Sequence, residues 1–233
     1  MSNPQEVMQA KVARVDESHR LRAGRSALLV VDMQHGFLDE GASLEVPAGR
    51  AVIPNIKRLI DACRASKVPV IFTEFVYAET VPCLRGEPFG LEHLPANPDA
   101  PPEYGVASAN CLIGPNAGQG AESSKTIDEL MPRDDELVVE AHTYDKFYGT
   151  PLDLALRSLN VSHLMISGVT TDVCVNSTLI AAAMRNYYVT AATDGMATIH
   201  DHIQKACFQI WQNKFARLKA ADELLVELSA IGG

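Results

Sequence analysis

The stretch Leu164–Ala183, LMISGVTTDVCVNSTLIAAA, constrains the fold more than any other part of the chain. It opens with a short apolar run, Leu164–Ile166, of strand type. Gly168 breaks the run, and the Ala- and Leu-rich segment Thr178–Met184 that follows has helical character. Cys174 therefore stands where a buried strand gives way to a helix. The first N–H groups of a helix lack intrahelical partners, and the macrodipole places partial positive charge there. A thiol at such a position has a lowered pKa and is a better nucleophile. The same N–H groups can hold the oxyanion of a tetrahedral intermediate. The competing reading is that Cys174 is a small buried apolar residue, as most free cysteines are. This stretch by itself does not choose between the two.

The rest of the chain repeats the strand-then-helix alternation. Ala27–Val31 (ALLVV) is a continuous apolar run that suits a strand buried on both faces of a parallel sheet. It stops at Asp32, a carboxylate that is costly at the end of a buried strand unless it has a task or a partner. Pro54–Ala65 has helical spacing, and Val68–Phe72 is a second buried strand with Pro69 near its start. The segment from Val76 to Lys125, rich in Pro, Gly and Asn, is longer than an ordinary connection. Beyond it the pattern predicts a short helix at Ile127–Leu130, a strand at Glu136–Val139 and a helix at Pro151–Leu159. A strand at Tyr188–Ala192, ended by Asp194-Gly195, precedes helices over Ile203–Leu218 and Ala221–Ile231. The expected fold is α/β, a doubly wound, mostly parallel sheet with helices on both faces. Residues 1–25 are expected to form an N-terminal arm. Residues 26–233 are expected to form a single domain with an inserted segment near 76–125.

Composition narrows the function. A formal charge of −9 argues against nucleic acid or an anionic membrane as the main partner. No apolar run approaches the length of a membrane span, and Met1–Ser26 is too polar for a signal peptide. The five cysteines, Cys63, Cys83, Cys111, Cys174 and Cys207, are scattered, with no CxxC pair and no zinc spacing. They read as reduced thiols of a cytoplasmic protein. Neither GxGxxG nor GxxxxGK[ST] occurs, so a nucleotide site has no motif support.

Three strings stand together in order: LLVVDMQHGF at Leu28–Phe37, VVEAHTYDKFYGTPLD at Val138–Asp153 and SGVTTDVCVNST at Ser167–Thr178. With them the chain resembles the isochorismatase-like cysteine hydrolases, a family that includes nicotinamidases, N-carbamoylsarcosine amidohydrolase, biuret hydrolase and ureidoacrylate amidohydrolase. The likeness runs from about Ser26 to the C-terminal helices, and the Gly-Val-Thr-Thr-Asp-Val-Cys-Val string is the most specific part of it. The resemblance implies Cys174 as nucleophile and Asp32 as general acid/base. It also implies a non-proline cis peptide at Val169–Thr170 and an oxyanion hole from the N–H groups of Thr170 and Cys174.

The family's third catalytic residue is a lysine that favours the ionised forms of the carboxylate and the thiol. The matching position here is Ala141. One explanation is an engineered Lys→Ala substitution; another is a naturally altered homologue. The third, that Lys146 has taken over, ranks last, because Lys146 lies in a turn and is expected as a solvated surface lysine. On this reading the chain is impaired as it stands.

The implied reaction is hydrolysis of a carbon–nitrogen bond in a small amide or ureide through a Cys174 thioester, with no cofactor. Thr73–Leu91 has no histidine, so the metal site of nicotinamidases is not expected. By family position, the candidate substrate walls are Phe37, Tyr144, Phe147, Tyr148 and Trp211. His35 and His142 lie near the site, with surface or capping roles as the alternative. A homo-oligomer, dimer or tetramer, is expected from the family. Two other readings remain. One is a binding protein that has kept the fold and lost the chemistry. The other is a vinyl ether hydrolase acting on isochorismate, against which Cys174 counts.

Overall fold

The structure, a computed structural model, describes residues 3–42, 45–76 and 124–232. The inserted segment expected near 76–125 lies outside the described residues apart from its two ends. Strand β1 (Ser26–Val31) is buried along its whole length, as its unbroken apolar run requires. It pairs in parallel with β2 (Val70–Phe75) on one side and β4 (His163–Val169) on the other. With β3 (Leu137–Ala141), β5 (Tyr188–Ala197) and β6 (Ala216–Lys219) these form one six-stranded parallel sheet in the order β3-β2-β1-β4-β5-β6. The chain moves outward from β1 through β2 to β3, then crosses back to β4. The direction of winding reverses between β1 and β4, and in such sheets ligands bind beyond the carboxyl ends of the strands at that reversal.

Alternation of side chains across the pleat builds two cores. Leu28, Val30, Val70, Phe72 and Met165 face one way, into helices α3 (Gly49–Ala65) and α7 (Ala221–Ile231). Ala27, Leu29, Val31, Ile71, Leu164 and Ile166 face the other way, into α4 (Leu152–Ser158), α5 (Asn176–Met184) and α6 (Asp201–Lys214). The result is the three-layer α/β fold expected. Helix α3 starts at Gly49, earlier than the apolar spacing indicates, and carries Pro54 inside it. Pro54 removes one helical hydrogen bond, and the burial of Ile56, Leu59, Ile60 and Cys63 along one face offsets that loss. Two further α-helices are α1 (Pro4–His19) and the single turn α2 (His35–Leu38), and Asp128–Leu130 forms a short 3-10 helix where the sequence predicts one at Ile127–Leu130. No helix among the described residues is long and apolar enough to cross a membrane.

Two sequence expectations are corrected. Ile203–Leu218 is not one helix: α6 ends at Lys214, and Ala216–Lys219 becomes the edge strand β6 beside β5. The buried guanidinium of Arg217 decides this. It donates to Thr190 Oγ1 on β5 and to both carboxylate oxygens of Glu227 on α7, a pairing no local pattern reveals. Similarly, Asp194-Gly195 does not end β5. The strand runs on to Ala197 through a register shift against β4. Asp194, in that bulge, accepts the N–H of Ala221 at the start of α7 at 2.7 Å, where a carboxylate is favoured.

The N-terminal arm contains α1, in which no residue is fully buried and Asp16, Ser18 and His19 of the last turn are partly so. Its last turn is tied to the body. His163 Nε2 lies 3.1 Å from the Ser18 carbonyl, the His163 and Tyr188 rings stack at 4.8 Å, and His19 meets Tyr188 edge-on at 5.4 Å. Burial holds both imidazoles below their ordinary value of 6.5. The Ser18 carbonyl partly opposes this at His163, and the Val15 carbonyl does so at His19. Two nearby arginines, Arg22 and Arg25, add to the depression at His163.

Two predictions follow from this architecture. Gly168 has φ +118° and pairs with Val31, and a Cβ placed there would lie 2.0 Å from the Val31 carbonyl oxygen. Gly168→Ala is expected to cost more than about 3 kcal/mol, measured as a lowered urea midpoint. The two histidines have folded pKa values below their unfolded ones. The stability they contribute is complete above pH 6.5 and is lost as pH falls through their folded values. The melting temperature should fall between pH 7 and pH 5, and His163→Gln should flatten that slope.

Candidate active site

Asp32 follows the last residue of β1 and takes a left-handed backbone conformation, φ 52°, which Asp tolerates better than most residues. Its side chain is fully buried. Thr73 of β2 holds it in place: the Asp32 N–H donates to the Thr73 carbonyl at 3.1 Å, and the Thr73 hydroxyl donates to Oδ1 at 2.6 Å. On the other carboxylate oxygen, Oδ2, the Lys146 ammonium sits at 2.7 Å, with neither side chain exposed.

This overturns the expectation that Lys146 is a solvated surface lysine. The turn after β3 folds over the end of β1 and delivers the lysine inward. Within the turn the Thr143 hydroxyl donates to the Asp145 carbonyl, the Asp145 carboxylate accepts the Phe147 N–H, and the Thr150 hydroxyl donates to the Lys146 carbonyl. Thr178 of α5 then clamps the turn, accepting the Lys146 N–H and donating to the Tyr144 carbonyl, each at 3.2 Å. The ammonium also donates to the Thr143 carbonyl at 3.2 Å and lies 4.8 Å from the centre of the Phe75 ring, a favourable cation–π distance. Ala141, expected at the lysine position, is the fully buried last residue of β3 and pairs with Phe75.

Cys174 lies beyond the end of β4, the strand next to β1. The Val169–Thr170 peptide is cis, as the resemblance implies. Thr171–Val175 then forms a wide π-helical turn in front of α5, and Cys174 within it is 4% exposed. Such turns are uncommon and occur often at functional sites. The Thr170 carbonyl closes this turn by accepting the N–H groups of Val173 and Val175. Because Thr178 stands one helical turn beyond Cys174, it joins the cysteine's element to the lysine turn. Burial pushes the thiols of Cys63 and Cys207 up, with Glu136 adding to the first and Asp172 to the second. Cys83 and Cys111 lie outside the described residues.

The candidate substrate walls separate on inspection. Tyr144 is half-buried and stacks at 5.8 Å on Phe75, the ring that the Lys146 ammonium also faces. Phe37 is buried in the α3-side core. Phe147 packs near Tyr187 and under the Arg185 guanidinium. Tyr148 is 61% exposed. Trp211 is fully buried, and its indole N–H donates to Asn176 Oδ1 at 2.8 Å. His35 engages Asp39 at 3.1 Å, and His142 Nδ1 lies 2.7 Å from the Val76 carbonyl. Among the described residues no group of three His, Cys, Asp or Glu side chains is placed to hold a metal.

Sequence reasoning missed Thr73, Thr178 and Gln34. The side chain of Gln34 is fully buried and joins both ends of the long segment to β1, exchanging hydrogen bonds with the Phe75 backbone and donating to the Ser124 carbonyl. The available signal was a polar residue continuing a buried run, because such a group must find partners.

Residues 26–223 match the isochorismatase domain. The ureidoacrylate amidohydrolase RutB of Yersinia enterocolitica is 32% identical over 166 residues, covering 66% of this chain and 67% of that protein. Its Klebsiella pneumoniae counterpart is 30% identical over 184 residues, 74% of this chain and 73% of that one. Among solved structures, a cysteine hydrolase from Pseudomonas syringae superposes with a TM-score of 0.73 at 21% identity, covering 91% and 96% of the two chains. That is a likeness of fold. N-carbamoylsarcosine amidase from Thermoplasma acidophilum gives 0.65 at 26% identity over 85% and 97%. A domain match across residues 26–223, on a sheet with Asp32 and Cys174 at its reversal point, makes this chain a member of the isochorismatase family.

Proposed function

We propose that this protein is a cysteine-dependent amidohydrolase that cleaves a carbon–nitrogen bond in a small amide or ureide, with Asp32, Lys146 and Cys174 as its catalytic set. The observation that carries the reading is the buried Lys146–Asp32 ion pair at the end of β1. Two charges are expensive to bury, and a fold has little reason to hold them at a ligand-binding edge except for chemistry. The relatives named ureidoacrylate amidohydrolase and N-carbamoylsarcosine amidase support the substrate class.

In this mechanism the Asp32 carboxylate accepts the Cys174 proton, and the thiolate attacks the substrate carbonyl carbon. The oxyanion is held by the N–H groups of Thr170 and Cys174. As the intermediate collapses, the C–N bond breaks and Asp32 returns the proton to the leaving nitrogen. Asp32 then takes a proton from water as it attacks the thioester, and the thiol leaves reprotonated. Lys146 supplies a fixed positive charge that offsets the negative charge shared between carboxylate and thiolate. A lysine side chain has four carbons between backbone and ammonium. It can therefore bring its charge to Asp32 from the turn after β3 as well as from the end of the strand. The explanation ranked last for Ala141 becomes the preferred one, and the chain as it stands has a complete catalytic set.

Cys174→Ser should abolish turnover on a panel of ureides and amides that includes ureidoacrylate and N-carbamoylsarcosine. Cys63→Ala and Cys207→Ala should remain active. Undiminished turnover by Cys174→Ser would sink the assignment. The lysine is tested separately. Lys146→Met should lower kcat by on the order of 10²–10³, by comparison with the loss of other preorganised charge donors. Ala141→Lys in the otherwise unchanged chain should give no gain. A large gain from Ala141→Lys with little loss from Lys146→Met would return the role to position 141.

A further inference from the structure

We infer that Thr73 is a positioning residue for this reaction, holding the Asp32 carboxylate in the one orientation that serves both Lys146 and Cys174; the inference rests on the catalytic roles proposed above. Asp32 lies just past the end of β1 with a left-handed backbone, so the strand pleat no longer dictates where its side chain points. Something else must set the carboxylate. Thr73 makes three contacts to this one residue. Its carbonyl accepts the Asp32 N–H at 3.1 Å, its Oγ1 lies 3.3 Å from the same nitrogen, and its hydroxyl donates to Oδ1 at 2.6 Å.

The contacts form a closed loop. Because Oγ1 faces an N–H, a lone pair turns toward Asp32 N, and the hydroxyl hydrogen is left to point at the carboxylate. The side chain of Thr73 is itself fully buried, and a β-branched residue in a strand has little freedom about χ1. Register holds the loop in place as well, since Thr73 pairs with Val31, the residue before Asp32. With Oδ1 accepting from the Thr73 hydroxyl on the β2 side and Oδ2 in ion-pair contact with the Lys146 ammonium, the carboxylate is held at both oxygens. A hydrogen bond to a carboxylate, such as the one at Oδ1, is short and directional. A carboxylate that carries a proton from a thiol to a leaving nitrogen must stay in one place through both transfers, and a misplacement of about 1 Å costs on the order of 10²-fold in rate.

The test replaces the hydroxyl while keeping the shape. Thr73→Val should lower kcat about 10- to 100-fold with KM unchanged, the size expected for one hydrogen bond to a charged group. Thr73→Ser, which restores the hydroxyl, should recover most of the loss. The rate of Cys174 alkylation by iodoacetamide should fall in Thr73→Val and recover in Thr73→Ser. Thr73→Ala repeats the comparison without a branched methyl, and circular dichroism confirms that each variant is folded. Wild-type kcat in a folded Thr73→Val or Thr73→Ala, with Asp32→Asn inactive, overturns the inference and leaves the proposed function standing. Turnover by Asp32→Asn equal to wild type overturns the acid/base reading, and the inference with it.

Discussion

The buried contact between Lys146 and Asp32 is the constraint on which the site depends. Burying a charge without a partner is prohibitive, and burying a pair is tolerable only when the remaining lone pairs and protons are satisfied. The surroundings supply this. Thr73 takes one carboxylate oxygen, the Thr143 carbonyl accepts from the ammonium, and the Phe75 ring lies against it. The turn after β3 must then keep one conformation, and Thr178 holds it to α5. One ion pair thereby ties β1, β2, the turn and helix α5, which continues directly from the π-helical turn that carries Cys174.

The sheet makes this meeting possible. Because β1 and β4 are neighbours at the reversal of winding, the loops that leave them open side by side. Gly168 lets β4 approach the Val31 carbonyl more closely than any side chain allows. The cis peptide and the π-helical turn follow at once and lead into α5. Away from the site, the same reliance on distant partners recurs. Arg217 brings β6 to Glu227 and Thr190, and Asp194 leaves the line of β5 to meet the start of α7.

Much of this was legible in the residues. The unbroken apolar runs marked strands buried on both faces, and each of the five expected strands overlaps one in the sheet, with Val68, Pro69 and Glu136 falling just before β2 and β3. Asp32 and Cys174 stood out because each breaks a local pattern: a carboxylate ending an apolar run, and a thiol between strand and helix. The substrate walls were less legible. Tyr144 stacks on Phe75, whereas Tyr148, a few residues on, is exposed. Aromatic character alone carries no direction, and in an irregular turn there is no period from which to infer one.

The sequence alone determined the layered α/β class, the parallel sheet and the two strand ends that carry the carboxylate and the thiol. Those properties follow from local periodicity and from residues adjacent in the chain. Only the tertiary structure decided that Lys146 is buried on Asp32, that Thr73 orients the carboxylate, and that residues 216–219 leave α6 to form an edge strand. Each depends on a partner far away in sequence, reached only after the sheet has closed. A lysine in a turn has the same local signature whether its ammonium ends in water or on a carboxylate. The difference lies in where the turn is folded, and that is a property of the whole molecule.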